Sequence, residues 1–86
     1  MSITPTDHQR RIIYQARRGL KELDYYIDPY VKTTYLTADS DEQAAFETML
    51  TYEDPDLLLF FMDQAKPAET AVAELIAKMK QLKHGA

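Results

Sequence analysis

Arg17, Arg18, Gly19 and Glu22 are the residues of this chain whose types and spacing can do chemistry: two cations, a residue with no side chain, and an acid three positions later. Such a set suits recognition. A guanidinium forks onto a carboxylate or carbonyl, and a glycine lets a foreign backbone come close. The same residues also have a plain structural use, as cations against the negative end of a helix, a glycine stop, and an acid in the first turn of the next helix. Spacing alone leaves the two readings level.

Covalent chemistry has little to work with. A nucleophile needs a base within hydrogen-bond reach, but the chain has no cysteine, and its two histidines, His8 and His84, lie near opposite ends. Neither is flanked by a serviceable partner, so both read as exposed terminal groups and the chain reads as no enzyme. Asp24 and Asp28 stand one helical turn apart, and Asp39, Asp41 and Glu42 cluster. They lack the spacing of a calcium loop, so helix capping and a solvated acidic face account for them. Without thiols there is neither a disulfide nor a thiolate metal site. Ten Lys and Arg against fourteen Asp and Glu give a formal charge of −4, the wrong sign for a protein that neutralises phosphates; no nucleic acid is expected. Met1 to Asp7 reads as polar, without the basic and apolar segments of a secretory signal, and no apolar run approaches the roughly 18 residues of a membrane span. No membrane insertion and a cytoplasmic location are therefore expected.

The elements that must position these residues are helical. An 86-residue chain holds one domain, read here as residues 1–86 with an ordered core over 7–83 and short flexible termini. Thr6-x-x-Gln9 is a capping box, and Ile12, Ile13, Ala16 and Leu20 continue at helical spacing, so a first helix is expected from Asp7 to Arg18. Gly19 then suits a left-handed stop. Leu20, Leu23, Ile27, Tyr30 and Val31 carry a second helix to about Thr34, bent at Pro29. Asp39-x-x-Glu42 and Ser40-x-x-Gln43 are overlapping start signals for a third, which buries Phe46, Met49 and Leu50 and ends near Tyr52. In Asp54-Pro55-Asp56, an N-cap acid, a proline at the first helical position and a second acid begin a short fourth helix. Leu57 to Met62 is apolar all round and belongs at the centre of the core. Val72, Leu75, Ile76, Met79 and Leu82 form the stripe of a last helix, with Lys78, Lys80 and Lys83 toward its negative end. The six tyrosines fall on too many faces for all to be buried, so some should line an exposed surface. The sum is an all-α fold, a single compact five-helix bundle.

At this level of detail the chain resembles a known family. Arg17-Arg18-Gly19-Leu20-Lys21-Glu22-Leu23-Asp24 is similar to the Arg-Gly-x-x-Glu signature of the succinate dehydrogenase assembly factor 2 family, the FAD assembly factors. Glu53-Asp54-Pro55-Asp56-Leu57, then Phe61-Met62 and Lys66-Pro67-Ala68, resembles that family's second block, and the likeness runs from about His8 to Lys83. Either block alone is a weak motif; two in order within a helical chain of this size are fairly specific.

The resemblance implies a chaperone-like protein that binds the flavoprotein subunit of succinate dehydrogenase or fumarate reductase and promotes covalent attachment of FAD to a histidine of that subunit. The implied chemistry belongs to flavin and partner: the 8α-methyl group loses a proton, the partner's histidine attacks the resulting quinone methide, and the adduct is reoxidised. This chain's share would be orientation. Arg18, Gly19 and Glu22 match the signature and become the expected centre of the contact, with Arg17 beside them and Tyr14 at the rim. Asp54, Pro55 and Asp56 match the second block, with an N-cap role favoured over contact. No cofactor is expected on the chain itself, since it has no glycine-rich phosphate loop following a strand, and in isolation it should be a monomer. Two alternatives remain, an antitoxin of a toxin–antitoxin pair and a generic helical adaptor; the acidic charge argues against the DNA binding that antitoxins use.

Overall fold

Three of the helices begin where a side chain or a proline settles the first turn: α1 and α3 on capping side chains, α4 on a proline. In this computed structural model, which describes residues 4–85, Thr6 Oγ1 accepts the Gln9 N–H at 3.1 Å and Gln9 Oε1 accepts the Thr6 N–H at 2.9 Å. This complete capping box starts α1, Asp7–Gln15. α2 spans Lys21–Thr33 and continues past Pro29, with Thr33 Oγ1 donating to the Pro29 carbonyl at 2.6 Å. A 3-10 turn, Tyr35–Thr37, follows. α3 is Ser40–Met49; of the two overlapping signals Asp39 is the cap, its carboxylate accepting the Glu42 N–H at 2.8 Å. α4 is Asp54–Phe61 and α5 is Thr70–Gly85. The described residues are helices, turns and loops, which makes the fold all-α.

α5 packs against α2, α3 and α4, and is the hub of the bundle. Its Val72, Leu75, Ile76 and Met79 are buried, with Leu82 packed partly against the same core. Around them lie Leu23, Ile27 and Tyr30 of α2, Phe46 and Met49 of α3, and Leu57, Phe60 and Phe61 of α4. Tyr30 and Tyr35 flank Phe46, each with its ring centroid 5.1 Å away. α1 sits at the edge, holding on through Ile12 and Ala16 and through polar bridges to α3 from His8 to Glu47 (3.0 Å) and from Gln9 to Gln43 (3.4 Å).

Several expectations are corrected here. α1 stops at Gln15, three residues short of Arg18, because the Arg18 N–H leaves the helical pattern and donates to Asp24 Oδ1 at 3.3 Å. α3 stops at Met49 rather than near Tyr52, and Thr51 folds back with its hydroxyl on the Thr48 carbonyl at 2.6 Å. Asp54 is not an N-cap: Glu53 holds that position without a side-chain bond, Asp54 is already helical, and Pro55 follows it in the first turn. The apolar run Leu57 to Met62 is not buried all round, since Leu59 is 40% and Met62 60% exposed. α4 is short and packs mainly on α2 and α5, and Leu59 and Met62 fall on its open side. The tyrosines divide as expected, with Tyr30 and Tyr35 fully buried and Tyr14 and Tyr25 exposed. His8, read as a bare terminal group, has the Glu47 partner described above. Lys78 and Lys80 act as cross-braces, bonding Glu42 of α3 at 2.8 Å and Asp63 at 2.7 Å. The side chains of Lys83 and His84 lie outside the described residues.

The exit from α4 is a feature that sequence reading missed. Asp63 takes φ 61°, the Gln64 N–H reaches the Leu59 carbonyl at 2.9 Å and the Asp63 N–H reaches that of Phe60 at 3.3 Å. These are the two bonds of a Schellman stop, built on an aspartate where glycine is usual.

Candidate functional site

The corner between α1 and α2 is made by Gly19. Its φ of +77° lies in the left-handed region that costs other residues roughly 1–2 kcal/mol, so the glycine is required for backbone reasons, as its sequence context implies. A Cβ built at Gly19 would meet no atom of the chain within 4 Å. Backbone conformation is therefore the reason this chain supplies for the glycine, and the space beside its Cα is open to another molecule.

Arg18, Gly19 and Glu22 of the signature, and Arg17 beside them, do not share one environment. Arg17, Gly19 and Glu22 are exposed on the outside of the corner. Arg18 turns the other way: its side chain is only 16% exposed, Nη2 donates to the Leu50 carbonyl at 2.5 Å, and Nη1 pairs with Asp54 Oδ1 at 3.3 Å. Its Nε is buried without a partner. The fork expected for a foreign carboxylate is thus taken by the end of α3 and the start of α4. Leu50 has an available carbonyl because it caps α3, and the last carbonyls of a helix lack intrahelical partners.

Asp54, from the second matched block, therefore acts on the first. The two blocks lie 36 residues apart in sequence and meet through one guanidinium. Asp24 completes the arrangement by taking the Arg18 N–H. It was read as one of several acids serving helix capping or a solvated face, and nothing in a six-residue spacing marks Arg18 as its partner across the corner. Pro55 and Asp56 are exposed at the start of α4, where Asp56 faces the positive end of the helix dipole; the hydrogen bonds of the Arg18 side chain go to Leu50 and Asp54 instead. Tyr25 and Tyr26 continue α2 beyond Glu22, and the Tyr26 ring stacks on Phe61 of α4 at 4.8 Å.

A second polar cluster lies away from the corner. The Tyr30 hydroxyl donates to Glu42 Oε2 at 2.7 Å while Lys78 Nζ bonds both oxygens of the same carboxylate. Burial, and next the bond to Glu42, push the Tyr30 hydroxyl far above its ordinary pKa; burial also raises Tyr35, with Glu47 adding to it. Beside them is a groove of about 260 Å³ lined by Asp39, Asp41, Glu42, Glu74 and Lys78 among others. Among the described residues no group of three or more His, Cys, Asp or Glu could hold a metal ion, and no helix is long and apolar enough to cross a membrane.

Fold and site together define a small all-α protein whose α1–α2 corner exposes Arg17 and Glu22 and is tied from beneath through Arg18. The model of the family described as "flavinator of succinate dehydrogenase" matches residues 10–83, and the chain belongs to that family. It is 58% identical over 80 residues to the FAD assembly factor SdhE of Psychrobacter arcticus, covering 93% of this chain and 86% of the relative. It is 49% identical over 85 residues to the FAD assembly factor SdhE of Acinetobacter baylyi, covering 99% and 100%. The FAD assembly factor SdhE of Pseudomonas aeruginosa is 31% identical over 67 residues, 78% of this chain and 80% of the relative. No solved structure gives a significant match.

Proposed function

We propose that this chain is an assembly factor, not an enzyme, that binds the flavoprotein subunit of succinate dehydrogenase, and of fumarate reductase where one is present, and promotes covalent attachment of FAD to a histidine of that subunit. It acts as a single copy and without nucleic acid. Arg17, Gly19 and Glu22 touch the client; Arg18, with Asp54 and Asp24 behind it, holds them in place. Pro55 and Asp56 set the start of α4 and so the position of Asp54.

The observation that carries this reading is the open space beside Gly19. A left-handed glycine between an exposed arginine and an exposed glutamate leaves a flat, charged step on which a backbone can settle. The bond-making groups, flavin methyl and histidine, are both the client's. What a rigid binding surface adds is orientation of reacting groups, an effect of the proximity type.

The test mixes purified flavoprotein subunit with FAD and the full chain, and reads covalent flavin by its fluorescence in a denaturing gel. Wild type should accelerate the signal. Glu22→Lys should abolish both acceleration and complex formation while keeping the wild-type melting temperature, since Glu22 is exposed. Full acceleration by Glu22→Lys would remove the corner from the function.

A further inference from the structure

Charge along this chain is sorted. Arg10, Arg11, Arg17, Arg18 and Lys21, half of the ten cationic residues, fall between His8 and Lys21, a stretch that holds none of the fourteen acids. The fold leaves four of them exposed and turns only Arg18 inward, to Asp54. Ile12 and Ala16 turn α1 toward the core, while His8 and Gln9 tie it to α3. At about 100° per residue, the opposite face of α1 falls to Asp7 in its first turn and then to Arg10, Tyr14 and Arg11, with Tyr14 between the two arginines and Arg17 one turn further on.

That face is open. Tyr14 is 79% exposed, the most exposed of the large apolar side chains described. Arg10 has only a loose pairing with Asp7 at 3.7 Å, both side chains largely in solvent, the kind of pair that contributes little. Arg11, Arg17 and Lys21 are exposed and form no ion pair among the described residues. Within the monomer such a row is mildly repulsive, and an aromatic ring in its middle gains nothing from water. Both features become favourable against carboxylates: the cations find partners and the ring is covered, the arrangement typical of an interface with an aromatic anchor and charged surroundings.

α1 runs directly into the corner, so a surface seated on Gly19 and Glu22 is carried within a helical turn or two of Arg17 and Tyr14. Resting on the corner as the docking point, we infer that the outer face of α1 is the second half of the same interface and receives an acidic stretch of the flavoprotein subunit, with carboxylates facing Arg10, Arg11 and Arg17 and the Tyr14 ring packed between them. An extended polyanion fits less well. Fourteen acids against five cations over the rest of the chain repel a duplex or an anionic bilayer, whereas a folded protein can present acids to this strip alone.

The experiment follows association of the full chain with the purified flavoprotein subunit across salt from about 50 to about 300 mM, for wild type, Arg11→Glu, Tyr14→Ala and Glu22→Lys. Expected are a wild-type association rate that falls roughly tenfold over that range, an Arg11→Glu rate lowered roughly tenfold at low salt with a flattened salt slope, and faster dissociation for Tyr14→Ala. All variants should melt like wild type, because the altered side chains are exposed. Salt-independent wild-type binding, with Arg11→Glu at the wild-type rate and Glu22→Lys inactive, overturns the inference and leaves the corner intact. If Arg11→Glu is slow and Glu22→Lys binds normally, the α1 face stands and the corner reading fails. Duplex DNA and vesicles of anionic phospholipid are run alongside; Arg11-dependent binding to either, with flavoprotein binding untouched by Arg11→Glu, also overturns it.

Discussion

At the α1–α2 corner one guanidinium, reaching a carbonyl and a carboxylate, holds the chain in place; beneath α5, whole rings and aliphatic side chains interdigitate around Phe46. The corner leaves the Arg17 and Glu22 side chains in solvent and turns only Arg18 inward, while the core leaves none of its large side chains there. The difference separates the energetics of folding from those of recognition. Substitutions in the core should change how much protein is folded, and those on the outer corner should change what the folded protein binds. Arg18 belongs to both, and it is where the division can be broken.

The largest effect is expected in the core. Phe46→Ala removes a ring with no exposure at all and should cost about 3–5 kcal/mol, seen as a large fall in melting temperature, with flavinylation per folded molecule unchanged. A variant that stays fully folded yet loses activity would erase the distinction.

Arg18→Ala comes next. It leaves the Leu50 carbonyl and the partly buried Asp54 carboxylate without their donor, a loss of about 1–3 kcal/mol, and it should also weaken client binding even where the protein is folded. Arg18→Lys keeps the charge but not the fork and should recover stability better than binding. Loss of binding with no change in melting temperature would place Arg18 with Glu22, as a contact and not a pin.

Tyr30→Phe should cost least, about 1 kcal/mol at neutral pH, because Lys78 still serves Glu42. Its signature is in the pH dependence. The Tyr30 pKa is raised by burial and by Glu42, so the fold favours the neutral hydroxyl. That contribution is fully present below the ordinary tyrosine pKa of about 10 and declines above it, as the unfolded chain ionises and the folded one does not. The gap between wild type and Tyr30→Phe should narrow as melting is followed from about pH 8 to about pH 11. A constant gap would mean that the hydroxyl is not held as described.

What sequence could reveal divides along the same line. The capping box at Thr6, the Asp39 cap, the left-handed glycine and the Val72–Met79 stripe were all legible, because each depends on residues within a turn or two. The inward turn of Arg18 was not, since its partners are 32 and 36 residues away and an Asp-Pro-Asp start reads as a cap until something else claims the first acid. The open side of α4 was hidden for a related reason: six apolar residues in a row specify burial only if neighbours exist on every side. Asp63 was missed because aspartate enters the left-handed region only when the bonds around it favour that geometry.

The hub position of α5 has a consequence for the life of the chain on the ribosome. α2, α3 and α4 each bury a face against Val72, Leu75, Ile76 and Met79, so the helices translated before position 70 can make only their mutual contacts, such as Tyr26 on Phe61 and Tyr30 on Phe46, until those residues emerge. Closure of the whole core must wait for that last segment. A nascent chain stalled before Thr70 would display Leu23, Ile27 and Phe46 to proteases and chaperones, which couples the arrival of a working assembly factor to the finishing of its synthesis.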